Sequence, residues 1–171
     1  VPLTLLSIDS TIQIAGIEMG ANHLKEIAFL CDIAEPTHGL ISNVGKAHLE
    51  GFGSFEGVKK TKGELYDYLQ NHNGTLFLQA DNPHLNEMAA TRKISEVVTY
   101  GFAETNDVIG KLLKADPLLQ IEWKEKDKPD SYTVHTQLTG SYNTENFLAA
   151  IAVGLYFGVS AEQINTGIER Y

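Results

Sequence analysis

Cysteine is nearly absent: Cys31 is the only one in 171 residues, so no disulfide can close within the chain, and a reducing cytoplasm is the expected setting. Positive charge is also scarce. Thirteen Lys and Arg stand against 22 Asp and Glu, a formal net charge of −9, which argues against a nucleic-acid surface. The same deficit means that a phosphate ligand would need a metal or local donors to offset repulsion. No apolar run approaches the roughly 20 residues that cross a bilayer, so membrane insertion is not expected. No basic, apolar leader opens the chain, so nothing signals export. A Gly-Lys-Thr/Ser phosphate loop is missing as well. Gly51-Phe52-Gly53-Ser54-Phe55-Glu56-Gly57 comes near one, but its spacing suits turn formation instead.

What is present is an ordinary globular composition, 43% hydrophobic, long enough for one domain with a real core. Val1 to Leu6 reads as an apolar helix already under way, and Ser160 to Tyr171 as a capped helix that stops at the chain end, so a piece of a longer protein is expected. Thr11 to Met19 is β-rich and apolar, as a strand buried on both faces would be. Leu24 to Ala34 has helical spacing and is followed by Pro36. Gly39 to Val44 reads as a second strand, and Val44 to Gly53 as a loop. Ser54 is placed to cap a helix reaching about Gln70, and Asn73-Gly74 marks a turn. Thr75 to Ala80 and Glu96 to Tyr100 read as further strands, with a helix opened by Asp81-Asn82-Pro83 between them.

This alternation predicts an α/β fold whose mostly parallel sheet is flanked by helices. Val108 to Leu113, Leu118 to Lys124 and Ser131 to Leu138 then follow as consecutive strands, the expected small antiparallel sheet appended to it. Helices return at Tyr142 to Phe157 and Ala161 to Arg170.

Ligands of open α/β sheets bind at the carboxyl ends of the strands. Glu18, His48 and Asp81 fall there in the expected layout. Each alone could cap a helix or solvate a loop. A carboxylate at the end of an apolar strand, however, must be paired or hold a metal. Together the three favour a phosphate or metal site. On the helix after Ser54, the stripe of Phe55, Val58, Leu65 and Leu69 leaves a gap that Lys62 fills, whereas Lys60 and Glu64 point elsewhere. A lysine there either snorkels to water or needs a counter-charge or loses its own. Converted to a carbamate, it would become an acidic metal ligand. Asn143 and Asn146, three apart at a helix start, serve either as a cap or as amides that read a base. Cys31 falls on an apolar helix and reads as core. His23, His38, His72, His84 and His135 show no metal-ligand spacing, though His23 lies close to Glu18.

Several runs carry a family resemblance. Glu18-Met19-Gly20-Ala21-Asn22-His23 with Glu26-Ile27, and Asn43-Val44-Gly45-Lys46-Ala47-His48-Leu49-Glu50-Gly51-Phe52-Gly53-Ser54, resemble signatures of Mur ligases of the MurF type. So do Glu56-Gly57-Val58, Lys62-Gly63-Glu64, and Gly140-Ser141-Tyr142-Asn143 through Asn146 with Ala149-Ala150. Lys25 and Asn82 depart from the residues common in that family, a glycine and a second aspartate.

The resemblance implies that residues 1–171 are a P-loop-NTPase-like Mur ligase central domain. The phosphate loop, the amino-terminal UDP-binding domain and the carboxyl-terminal domain would lie outside it. It implies a monomeric cytoplasmic enzyme of peptidoglycan synthesis that joins D-alanyl-D-alanine to UDP-MurNAc-tripeptide, through an acyl phosphate, at the expense of ATP. Glu18 and His48 would bind Mg2+, with Lys62 the carbamylated lysine supporting a second Mg2+. His48 and Lys62 would thus serve catalysis. Asn146 and Asn143 would contact adenine, and Asp81 would lie on the nucleotide side. The fragment alone is expected to be inactive. Two alternatives are a folylpolyglutamate- or cyanophycin-type ligase of the same superfamily and a non-catalytic scaffold that keeps the fold.

Overall fold

The computed structural model describes residues 1–45 and 53–171. Its secondary structure comprises α1 (Pro2–Leu6), α2 (Glu26–Ala34), β1 (His38–Leu40), α3 (Phe55–Asn71), β2 (Thr75–Gln79), α4 (Pro83–Ala90), β3 (Glu96–Gly101), β4 (Val108–Lys114), β5 (Gln120–Glu125), β6 (Ser131–His135), α5 (Asn143–Tyr156) and α6 (Ala161–Arg170). The strands form one six-stranded sheet in the order β1-β2-β3-β4-β5-β6. The appended antiparallel strands therefore extend this sheet and do not build a second one. The chain divides into two compact units. One comprises Val1–Leu76 with Glu87–Glu96, the other Phe77–Asn86 with Val97–Tyr171.

In the first unit the long helix α3 begins where local chemistry dictates. The Ser54 hydroxyl accepts from the Gly57 N–H at 3.1 Å, an N-cap that stabilises a helix by about 1 kcal/mol. The helix ends at Asn71, where the Gly74 N–H closes on the Leu69 carbonyl and Asn73 turns the chain at φ 54°. Helix α3 packs on α2 and β1, and Ile27, Cys31, Val58, Tyr66 and Leu69 are buried. Two expected strands differ here. Gly39 to Val44 contributes only its first residues to β1, and Thr11 to Met19 is irregular and mostly exposed. β propensity expresses itself against cross-strand neighbours. Thr11 to Met19 has no ladder partner among the described residues, so its apolar, β-branched composition produces no strand.

In the second unit β3 and β4 pair in parallel (Tyr100 with Val108, Gly101 with Ile109), while β4, β5 and β6 pair antiparallel. Helix α5 packs on β4, α6 packs on β6, and the two helices touch each other. Their shared core holds Phe77, Tyr100, Ile121, Trp123, Val134, Phe147, Leu148 and Ile151. Trp123 is fully buried, and its indole N–H donates to Asn165 Oδ1 at 2.9 Å, so the one polar atom of the largest core residue is satisfied. Gly110 faces Leu148. A Cβ there would collide with the leucine side chain, so the glycine sets how closely α5 approaches β4.

Candidate functional site

Lys62 sits mid-helix on α3, beside the buried residues Val58, Thr61, Tyr66 and Leu69. It flanks this face, where the stripe had placed it at the centre. The lysine is half-buried, and its ammonium donates to the Asn43 carbonyl at 2.6 Å. Burial pulls its pKa below the ordinary lysine value. A backbone carbonyl is a neutral acceptor, and among the described residues no anion pairs with the ammonium. That environment enriches the neutral amine, the form able to attack CO2 and become a carbamate.

Glu18 lies in the irregular segment ahead of α2 and is exposed. This corrects the sequence expectation at one point: Glu18 does not stand at the end of a buried apolar strand, so burial does not force a partner or a metal on it. His48 lies outside the described residues. Among the described residues no group of three or more His, Cys, Asp and Glu side chains is close enough to hold a metal ion.

The segment that follows Glu18 is organised by two carboxylates. Glu26, in the first turn of α2, accepts from the Asn22 N–H at 2.6 Å and the His23 N–H at 3.1 Å, and pairs with His23 Nδ1 at 3.1 Å. The Asn22 N–H bond, followed by the His23 contacts, holds its carboxyl below the usual carboxylate range. Glu64, on α3, accepts from the Lys25 N–H at 2.7 Å and the Ala28 N–H at 3.0 Å. Lys25 is the N-cap residue of α2, in the left-handed region at φ 71°, and its side chain caps nothing. That backbone conformation suits the glycine that the resembled family commonly places there. Glu64 was expected to point away from the site, so its role was missed. Nothing local reveals it, because the bonded partners lie 39 and 36 residues away.

The remaining expected site residues lie in the second unit. Asp81 follows β2, and its two oxygens are engaged by the loop after β3: Oδ2 accepts from the Phe102 and Ala103 N–H groups and Oδ1 from Asn106 Nδ2. Gly101 enters this loop so close to Asp81 that a Cβ would strike the carboxylate. Glu145, near the start of α5, has its pKa raised by burial and then by the charge of Asp81. Burial, and then Glu145, pushes the Tyr100 phenol up too.

Asn143 is the first residue of α5. Its amide donates to the Thr139 carbonyl at 2.8 Å and accepts from Asn146 Nδ2 at 3.2 Å. The N-cap position itself belongs to Tyr142, which makes no side-chain cap. Both asparagines line a cavity of about 450 Å3 between α5 and α6, within the range of small-ligand sites. Its other walls are apolar, from Leu138, Phe147, Ala150, Ile164 and Ile168, with Gln163, Gly167 and Tyr171 completing them. Such a slot can stack a flat ring and offer it amide donors and acceptors. The α6 residues are a further set that sequence reading missed. Ile164 and Ile168 have the i,i+4 spacing of a packed face, but which helix they meet is decided in three dimensions.

Comparison with known proteins gives a consistent answer. The family model described as the Mur ligase middle domain matches residues 1–154. The UDP-N-acetylmuramoyl-tripeptide–D-alanyl-D-alanine ligase of Escherichia coli is 33% identical over 98% of this chain and 37% of its own length. The crystal structure of MurF from Acinetobacter baumannii superposes with a TM-score of 0.81 at 29% identity, over 99% of this chain and 36% of that one. The structure of MurF ligase from Thermotoga maritima in complex with ADP gives 0.72 at 25% identity, covering 90% and 34%. This chain thus spans little more than a third of the relatives it matches.

Proposed function

This chain belongs to the Mur ligase family, matched by its middle-domain model over residues 1–154, and from that premise we propose that it is the ATP-handling part of a ligase joining D-alanyl-D-alanine to UDP-MurNAc-tripeptide in peptidoglycan synthesis. The observation that carries the reading is the 33% identity to the Escherichia coli ligase across 98% of the chain. In this reading the tripeptide carboxylate is activated as an acyl phosphate while ATP becomes ADP, and the dipeptide amine then displaces phosphate to form the amide. The protein acts in the cytoplasm, as a monomer.

The two units contribute different groups. In the second, Asn143 and Asn146 read the edge of adenine, whose ring lies on the apolar wall of the 450 Å3 cavity. Asp81 acts on the nucleotide side by holding the loop after β3 in place. In the first, Glu18, His48 and Lys62 form the metal side. The donor chemistry of Glu18 and Lys62 fits Mg2+ on one condition. Carboxylate oxygen suits a hard cation, but an ammonium repels one, so Lys62 must act as its carbamate. Addition of CO2 to the neutral amine forms the N–C bond and releases one proton. The carbamate N–H retains a hydrogen with which to donate to Asn43. Mg2+, when bound, would neutralise charge on the reacting phosphate and carboxylate oxygens. Residues 1–171 hold no phosphate loop, so the grip on the triphosphate comes from elsewhere in the ligase.

The test is ATP-dependent joining of the dipeptide by the whole ligase, with amino-acid and polyglutamate acceptors offered in parallel. Selective use of D-alanyl-D-alanine is expected, and preference for another acceptor overturns the reading. Residues 1–171 alone are expected to show no ligation.

A further inference from the structure

Helix α3 projects two reaching side chains within one turn. Lys62 extends to Asn43, and Glu64 extends to the start of α2, where it takes the Lys25 and Ala28 N–H groups on separate oxygens. Helix α2 has no cap of its own. Its N-cap side chain makes no capping hydrogen bond, and the one acid of its first turn, Glu26, turns back to tie down Asn22 and His23. The orphan amides of a helix start must find acceptors, and a carboxylate meets both them and the helix dipole. Glu64 supplies that carboxylate from another element. It thereby fastens the segment that follows Glu18 to the helix that carries Lys62.

We propose that Glu64 is a positioning residue of the metal side: by capping α2 from α3 it sets the spacing between the Glu18 segment and Lys62. This rests on the proposed function for the identity of the metal and the reaction, whereas the capping contact stands on the structure alone. Glu64→Gln is a sharp probe. A glutamine keeps one acceptor oxygen, but its NH2 faces a backbone N–H and cannot accept from it.

The experiment compares the whole wild-type ligase with Glu64→Gln and with Asp67→Asn. Asp67 lies on the same helix and pairs with Arg92, so its replacement reports a general loss of α3 stability. Hydrogen–deuterium exchange over residues 22–29, and the Mg2+ concentration that half-saturates both the ligation rate and metal binding measured calorimetrically, are read for each. In Glu64→Gln, exchange over residues 22–29 is expected to quicken, and half-saturating Mg2+ to rise about tenfold, the scale typical of groups that orient metal ligands. KM for the dipeptide is expected to hold. Asp67→Asn should change neither exchange in that segment nor the Mg2+ requirement. Equal behaviour of the two variants, or an unchanged Mg2+ requirement in Glu64→Gln, overturns the proposal. If Glu64→Gln fails to fold, Glu64→Asp, too short to reach both amides, is read in the same way. Failure of the wild type to use the dipeptide would refute the proposed function, and the exchange and calorimetric arms would still decide the role of Glu64.

Discussion

The Lys62 ammonium donates to the backbone carbonyl of Asn43 at 2.6 Å, joining a half-buried cation to a neutral acceptor. The contact orients the side chain without bringing an anion to it, and burial lowers its pKa.

Lys62 is therefore expected to take up CO2 under bicarbonate. Incubation with 13C-labelled bicarbonate should give one protein-bound carbamate signal, seen by NMR and lost in Lys62→Arg. The pH dependence of stability has a defined sign. The stability contributed by the neutral amine is present above the ordinary lysine pKa and is lost as pH falls through the lowered value in the folded state. Lys62→Met should accordingly gain stability relative to the wild type as pH falls through that window, read from urea midpoints.

Cys31 should be inert while the chain is folded. It has no exposed surface, and burial, with smaller contributions from Asp32 and Glu64, pushes its thiol up to about 11. At pH 8 only about one molecule in a thousand then carries the reactive thiolate. Labelling by iodoacetamide should need denaturant. Folding stability is fully present below the ordinary thiol value of 9.0 and declines as pH rises toward 11. Cys31→Ser should flatten that decline in an alkaline series of melting temperatures.

Asp81→Ala is expected to cost about 1–3 kcal/mol, because it removes the acceptor for two backbone N–H groups and for the amide of the buried Asn106. Asp81→Asn keeps one acceptor oxygen and should lose less. Chemical denaturation of both variants measures the difference.

Arg92 binds Asp67 through two nitrogens, at 2.7 and 3.2 Å, and also donates to the Met88 carbonyl at 2.6 Å. Asp67 is 55% exposed, so solvent screening limits the pair to about 1 kcal/mol despite its bidentate geometry. Arg92→Met should lower stability by about that amount at low salt, with a smaller difference in 1 M NaCl.

Much of the fold was legible because its cues are local. Ser54 caps α3 through an N–H three residues on, Asn73-Gly74 turns the chain after it, and the consecutive strand-like runs from Val108 onward become β4, β5 and β6. The motifs around Glu18, Lys62 and Asn143 pointed to the Mur ligase family, and the apolar residues of α3 already required Lys62 to lie near the buried face. What only the tertiary structure decided depends on partners remote in sequence. Thr11 to Met19 has strand composition but no ladder neighbour among the described residues, so Glu18 is exposed. Asn143 and Asn146 gain a cavity because α6 supplies its other wall. Glu64 caps a helix that begins 38 positions earlier, and no periodicity along the chain encodes that reach. Caps and turns act within a few residues, whereas ladders, cavities and caps made across elements exist only once the chain has brought distant groups together.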